Sequence, residues 1–435
     1  MPFRVWNPWK SDRAPGDSLA QQVDRLAADS RVHQVFDWFM RHEREIADFQ
    51  LAITSIPAPG YAEHKRAAWL RERLTALGLS TATDAVGNLL ATRSGVQPQA
   101  PAIALSAHLD TVFSAATPLD IRREHSRLLG PGISDNGSGL AALFALASAF
   151  SAAEIVTDSP LLFIANVGEE GEGNLRGMRH IYRGHLPGAL ADAAPAPSIA
   201  MLIAIDGAGA DNIISQALGS RRFDVVISGP GGHSWSDHGT PNPIVAASIA
   251  INALFRIPLP VNPRTTVNIG AIEGGTSINS IPERALFKVD LRSADPACLD
   301  EVEQHLRRAV SQACSETEAH SSQPRACLTH AITLTGERPA GELSAASHLL
   351  AAMRAVDAHL GIRAELHRAS TDANIPLSLG LDAITLGGGG SGGGAHTVHE
   401  WYDPAGREQA LKRLALLTLL LAGLPPVESP SEPSL

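Results

Sequence analysis

The chain has 435 residues, 44% of them apolar and 18% charged, with a formal net charge of -10; at roughly 150 residues per domain this is a globular composition with room for two or three units. No Lys/Arg block offers a phosphate-binding face, which argues against a nucleic-acid partner, and the longest aliphatic run, Leu414–Gly423, is about half the roughly 20 residues that span a bilayer. Cys298, Cys314 and Cys327 are odd in number and lack C-x-x-C spacing, so neither a disulfide framework nor a cysteine metal site is expected. Met1–Gly16 has no continuous apolar segment of the kind a signal peptide needs. Together these point to a cytoplasmic protein.

In chain order, residues 17–50 carry helical periodicity through Leu19, Val23, Leu26, Val35, Phe36, Phe39 and Met40, and Glu63–Leu77 predicts a second helix closed by Gly78. Strands and helices then alternate: strands Gly87–Thr92 and Ala102–Ala107, helix Gly139–Phe150, and strands Leu161–Val167 and Met201–Ile205. Strands separated by helical segments predict an α/β fold with a mostly parallel sheet covered on both faces. From Arg222 the pattern becomes strand Phe223–Ser228, helix Pro243–Phe255, strands Thr265–Ile272 and Ala285–Leu291, helix Asp300–Ala313 and strand Ala326–Leu334. That β-α-β-β-α-β order is the ferredoxin-like split unit. It predicts an α+β module over 219–335 inserted between two parts of the larger domain, 1–218 and 336–424. The second part holds helix Leu343–Leu360, strand Ala383–Leu386 and helix Pro404–Leu421, and the Pro- and Ser-rich tail 425–435 is expected to be disordered.

Imidazole and carboxylate side chains stand wherever one of the strand-like runs stops. They are His108 and Asp110, Glu169 and Glu170, Asp206, and His396 beyond the glycine run Gly387–Gly394; Asp135 joins them from a Gly-rich loop ahead of a long apolar helix. In open α/β sheets the ligand site lies outside the carboxyl ends of the strands, so these residues converge. Singly, each has a bland reading. His-x-Asp also describes a solvated strand end, Glu169-Glu170 with Glu172 nearby an acidic turn, and Asp before Gly or Asn ordinary turn chemistry.

Jointly they are harder to dismiss. A two-metal site needs a shared carboxylate and about two further ligands per ion. His108, Asp135, Glu170, Asp206 and His396 fill that requirement and leave Glu169 over as a general base. Asp110 is placed to orient His108. A one-metal oxygenase using two His and one carboxylate would leave the other acids unused. Within the glycine run, Gly389-Gly390-Ser391-Gly392-Gly393 matches a nucleophile elbow, but little chain remains for the Asp and His that must follow. Gly387-x-Gly389-x-x-Gly392 matches a dinucleotide pattern, but no amphipathic helix opens at its end. His396-Thr397-Val398-His399-Glu400 is not H-E-x-x-H.

The motifs Ser106-Ala107-His108-Leu109-Asp110-Thr111, Gly132-Ile133-Ser134-Asp135-Asn136, Gly168-Glu169-Glu170-Gly171, Ile205-Asp206-Gly207 and His396-Thr397-Val398-His399-Glu400, in that order, resemble the M20 family of di-zinc metallopeptidases and amidohydrolases. Gly229-Pro230-Gly231-Gly232-His233-Ser234 and Gly274–Pro282 resemble that family's lid, or dimerisation, domain. The resemblance implies one zinc on His108, Asp135 and Asp206, and another on Asp135, Glu170 and His396, with cobalt or manganese as alternatives. It makes Glu169 the general base and acid, and His233 an oxyanion donor that often serves the partner subunit of a homodimer. Arg292 and Asn279 match positions that bind a substrate carboxylate. Carboxypeptidase-type members tend to have Glu where Asp206 stands, so the resemblance leans to an aminopeptidase or dipeptidase acting on short peptides. An N-acyl or N-carbamoyl amino acid hydrolase is the alternative, and a non-catalytic relative that only binds is the rival from another class.

Overall fold

Unbroken apolar runs can only be strands if both of their faces are covered, and that is how four of them are used. In the structure, a computed structural model that describes residues 17–185, 198–323 and 327–426, Leu161–Asn166, Ala102–His108, Ile199–Ile205 and Ala383–Leu386 lie side by side in that order, all parallel. Every residue of the Ala102–His108 and Leu161–Asn166 strands is buried. The helices Gly137–Ala152 and Arg407–Ala422 pack on the Ala102–His108 strand and are buried nearly all round. Among the described residues no helix is long and apolar enough to cross a membrane.

The sheet is completed on either side by less apolar strands, of which the sequence pattern predicts only Leu89–Arg93, as Gly87–Thr92. Ser80–Thr83 and Leu89–Arg93 run antiparallel at one side, and Asn212–Ala217 with Gly341–Glu342 and Glu365–Ala369 close the other. Edge strands face water, so runs as polar as Ser-Thr-Ala-Thr serve there. The periodic stretch 17–50 is three helices, Leu19–Ala27, Ser30–Arg41 and Glu43–Thr54; the first two are capped by the side chains of Ser18 and Asp29. The helix expected from Leu343 begins at His348 behind the cap of Ser347.

A second, four-stranded antiparallel sheet has the order Thr265–Gly274, Arg284–Ser293, Gly219–Ser228, Thr329–Arg338. Helices Pro243–Phe255 and Pro296–Ala319 pack on it over a separate core that includes Phe223, Val225, Ile227, Phe287 and Leu306. The β-α-β-β-α-β order expected for this stretch is the order found. The expectations for Met1–Gly16, for residue 326 and for the tail beyond 426 lie outside the described residues.

Candidate metal centre

All four parallel strands end at one edge of the sheet, and the candidate residues follow from that. His108 closes its strand, Asp206 follows Ile205, Glu169 and Glu170 follow the turn after Asn166, and His396 lies beyond the glycine run after Leu386. Asp135 is delivered by the cap of the Gly137–Ala152 helix. The Asn136 side chain accepts the Gly139 N–H at 3.0 Å and donates to the Ile205 carbonyl at 2.9 Å, which ties the Asp135 loop to the strand that ends at Asp206. A β-carbon on Gly139 would lie 2.1 Å from Asn136 Oδ1, so only glycine fits this crossing. The glycine run has the same cause at Gly388, where a β-carbon would lie 2.7 Å from the Ser138 carbonyl.

The five predicted ligands come together around Asp135. Asp135 Oδ1 lies 3.1 Å from His108 Nε2, which is itself 3.6 Å from Asp206 Oδ1; Asp135 Oδ2 lies 3.1 Å from His396 Nε2, which is 2.9 Å from Glu170 Oε1. Ligand atoms of His108, Asp135 and Glu170 all fall within 4.8 Å of one another. His396 is held with a left-handed backbone, φ 64, a conformation that costs a residue with a β-carbon about 1–3 kcal/mol and is found where the surroundings require it.

Charge is unbalanced here. Hydrogen bonds to Asp135 and Glu170 push the His396 ring up to about 10. Burial opposes the charge on His108, but bonds to Asp135 and Asp206 still raise it well above the usual imidazole value. Asp135 is held below the ordinary carboxylate range by the two imidazoles against the opposing effect of its burial. Burial drives Glu169 well above the carboxylate range despite Arg338, and drives Asp372, behind His108 and Asp206, up to about 7. So many acids in one cluster, with two imidazoles among them, make a donor set that suits hard-to-intermediate divalent cations.

Three residues contribute in ways the sequence did not indicate. Asp110 meets His108 chiefly through its main chain: the ring Nδ1 lies 3.0 Å from the Asp110 main-chain oxygen and 3.7 Å from Oδ1. The carboxylate instead accepts the N–H groups of Glu169 at 3.0 Å and Glu170 at 2.8 Å, fixing the loop that carries both. Glu400, which enters the sequence pattern only as the end of the His396–Glu400 motif, is buried and accepts three main-chain N–H groups, from Gly132, Ser134 and Asp135, each at 2.7 Å. Arg338, from the end of the lid's last strand, donates to Glu169 Oε1 at 2.8 Å. The His396–Glu400 spacing was a usable signal for Glu400, whereas nothing local marks Arg338.

Glu400→Ala would strand those three N–H groups in a buried loop, and at about 1–3 kcal/mol for each unsatisfied group it should rank among the most destabilising single changes. Denaturant unfolding measures it. A change near zero would mean that the loop is held by other contacts.

The residues expected in the lid are placed differently. His233 lies in a two-stranded ribbon, paired with Ser280, and the Asn279 carbonyl accepts the Ser234 N–H at 3.0 Å, so His233 and Asn279 lie side by side on one exposed ribbon. The side-chain hydrogen bonds at His233 are to Trp235, Ser236 and Asp237, in the turn that follows it. Arg292 is half-exposed and donates to Asp290 Oδ2 at 2.7 Å. Among the described residues no hydrogen bond or ion pair joins these three to the Asp135 cluster.

A model of peptidase family M20/M25/M40 matches residues 104–422. A probable carboxypeptidase of Aspergillus terreus is 33% identical over 254 residues, 53% of each chain. YqjE of Bacillus subtilis, an uncharacterized protein, is 25% identical over 293 residues, 64% of this chain and 74% of that one. The chain spans about half the length of the probable carboxypeptidases it matches. Among solved structures, the aminopeptidase PepT of Bacillus cereus superposes with a TM-score of 0.69 at 18% identity, covering 87% of this chain and 98% of that one. YXEP of Bacillus subtilis, a dinuclear metal-binding peptidase, does so with a TM-score of 0.63 at 17% identity over 88% and 99%. These structures share the fold, and the match across residues 104–422 shows that the chain belongs to peptidase family M20/M25/M40.

Proposed function

We propose that this protein is a two-metal hydrolase that cleaves an amide bond in a short peptide, with Glu169 as general base and acid. One observation carries the reading: the two oxygens of Asp135 face separate donor groups, His108 with Asp206 on one side and His396 with Glu170 on the other. A carboxylate so placed suits a bridge between two cations. His108, Asp135 and Asp206 would hold one ion and Asp135, Glu170 and His396 the other. Zinc is favoured by the mixture of imidazole and carboxylate, with cobalt or manganese as alternatives. Such ions supply Lewis-acid polarisation of the scissile carbonyl and make water acidic enough to attack at neutral pH.

Glu169 then takes the proton from the attacking water and returns it to the leaving amine. Asp110 supports this step by pinning the main chain of Glu169 and Glu170. Arg292, with its planar fork, and Asn279 would bind a substrate carboxylate, and His233 would donate to the developing oxyanion across a lid-mediated homodimer. Loss of one such donor costs about two to three orders of magnitude in turnover, so His233→Ala should fall by that much with metal content unchanged. Mixing it with inactive Glu169→Gln should restore part of the activity, because a mixed dimer has one site with both residues. A confirmed mixed dimer without activity would exclude donation across the interface.

Two indications of substrate pull apart. Asp206 leans to the aminopeptidase side, while the matched fungal relatives carry the name probable carboxypeptidase. The discriminating experiment is a panel of free, N-blocked and C-amidated di- and tripeptides beside N-acyl and N-carbamoyl amino acids, assayed with metal-loaded protein. Hydrolysis of free and C-amidated peptides supports the aminopeptidase reading. Exclusive turnover of N-blocked substrates or N-carbamoyl amino acids replaces it with the carboxypeptidase or amidohydrolase alternative.

A further inference from the structure

Arg338 is the last residue of the lid strand Thr329–Arg338 and is 7% exposed. Its guanidinium points out of the lid. One terminal nitrogen donates to Glu169 Oε1 at 2.8 Å and to Ser370 Oγ at 3.1 Å, and the other donates to the Glu169 main-chain oxygen. A single side chain thus grips both the carboxylate and the backbone of one residue. The grip resembles a fork in geometry, which an ammonium group cannot reproduce.

The strand end that presents Arg338 is itself fastened to the loop after Glu170. Glu337 donates its N–H to Asn174 Oδ1 at 2.9 Å, Arg179 donates to the Glu337 carbonyl, and Arg222, on the neighbouring lid strand, donates to the Gly171 carbonyl at 3.0 Å. Asn174 and Leu175 both adopt left-handed backbone, φ 52 and 58. With the two bonds from Arg338 to Glu169, these three contacts lock residues 169–179 of the metal-bearing domain to the lid. Among the described residues no hydrogen bond engages Glu169 Oε2, so the carboxylate is held by one oxygen and keeps the other to accept a proton.

We propose that Arg338 is a positioning residue: it fixes the orientation of the Glu169 carboxylate and makes that orientation depend on the seating of the lid. The inference rests on the reading of Glu169 as general base. A carboxylate this buried, at 4% exposure, would without Arg338 lose its charged hydrogen-bond partner and turn to other rotamers or to solvent. Small misplacements of a reacting group cost about a hundredfold in rate.

The test uses full-length, metal-loaded Arg338→Ala, Arg338→Lys, Glu169→Gln and Arg338→Ala/Glu169→Gln proteins, with kcat, KM and metal content measured for each on a substrate found in the panel. Arg338→Ala should lose about a hundredfold in kcat with KM within a few-fold and metal content unchanged. Arg338→Lys should fall between it and the wild type. The double variant should be no slower than Glu169→Gln, because Arg338 acts through that side chain. In denaturant unfolding of the metal-free proteins the two single changes should likewise be non-additive. Wild-type kcat in Arg338→Ala, or an equal loss from Arg338→Ala in the wild-type and Glu169→Gln backgrounds, would overturn the proposal. If the Ala protein does not fold, Arg338→Lys decides: wild-type kcat overturns the proposal and lowered kcat at unchanged KM supports it. Near-normal turnover in Glu169→Gln is a different outcome, since it removes the general-base reading itself.

Discussion

Glu169→Gln should lower turnover by about two to four orders of magnitude while the protein binds as much metal as before. The substitution keeps the size of the side chain, and its amide oxygen can still accept from Arg338, which donates to Oε1 at 2.8 Å in the native protein. The main-chain bond from Glu169 N–H to Asp110 Oδ1 at 3.0 Å is untouched, so the loop that carries Glu170 should stay in place. What is lost is the capacity to take and return a proton. Steady-state kinetics beside elemental analysis separates the two effects. Near-normal kcat would remove Glu169 from the chemistry, and loss of metal with the activity would mean that it is a ligand.

Asp135→Ala should abolish measurable turnover, a loss of about three orders of magnitude or more, and should lose most of both ions. Its two oxygens lie 3.1 Å from His108 and 3.1 Å from His396, so it joins both halves of the cluster. His396→Ala gives the matching contrast: it touches Asp135 and Glu170 alone among the five, and should cost one ion while the His108 side keeps the other. Equal loss from the two variants would mean that the ions bind only as a pair. Retention of both ions by Asp135→Ala would mean that the carboxylate does not bridge.

The cluster was legible because it is built at strand ends. A strand that is apolar throughout reads as buried, its end is where polar residues can return, and in a parallel sheet all such ends point one way. His108, Glu169, Glu170 and Asp206 each announce themselves by that rule. His396 needed more, since the glycine run parts it from its strand, and its place came from the motif it shares with a family. What local pattern could not give were contacts made across the chain. Arg338 reaches Glu169 over a sequence separation of 169 residues, and Glu400 reaches the Asp135 loop over 265. Asp110 showed a different limit: adjacency suggested that its carboxylate held His108, but the strand end turns the carbonyl to the imidazole and the side chain to the next loop. In the fold, the apolar strands were foreseen, whereas the edge strand Ser80–Thr83 and the half-buried strand Asn212–Ala217 were not, because pairing at partly exposed positions needs no apolar run.

The two-metal arrangement is tested by the number of divalent ions per chain in protein loaded with zinc and freed of excess, taken for the wild type and for His396→Ala. Close to two ions are expected in the wild type and close to one in the variant, with His108, Asp135 and Asp206 holding the ion that stays. A wild-type stoichiometry of one that survives the loss of His396 would contradict that arrangement.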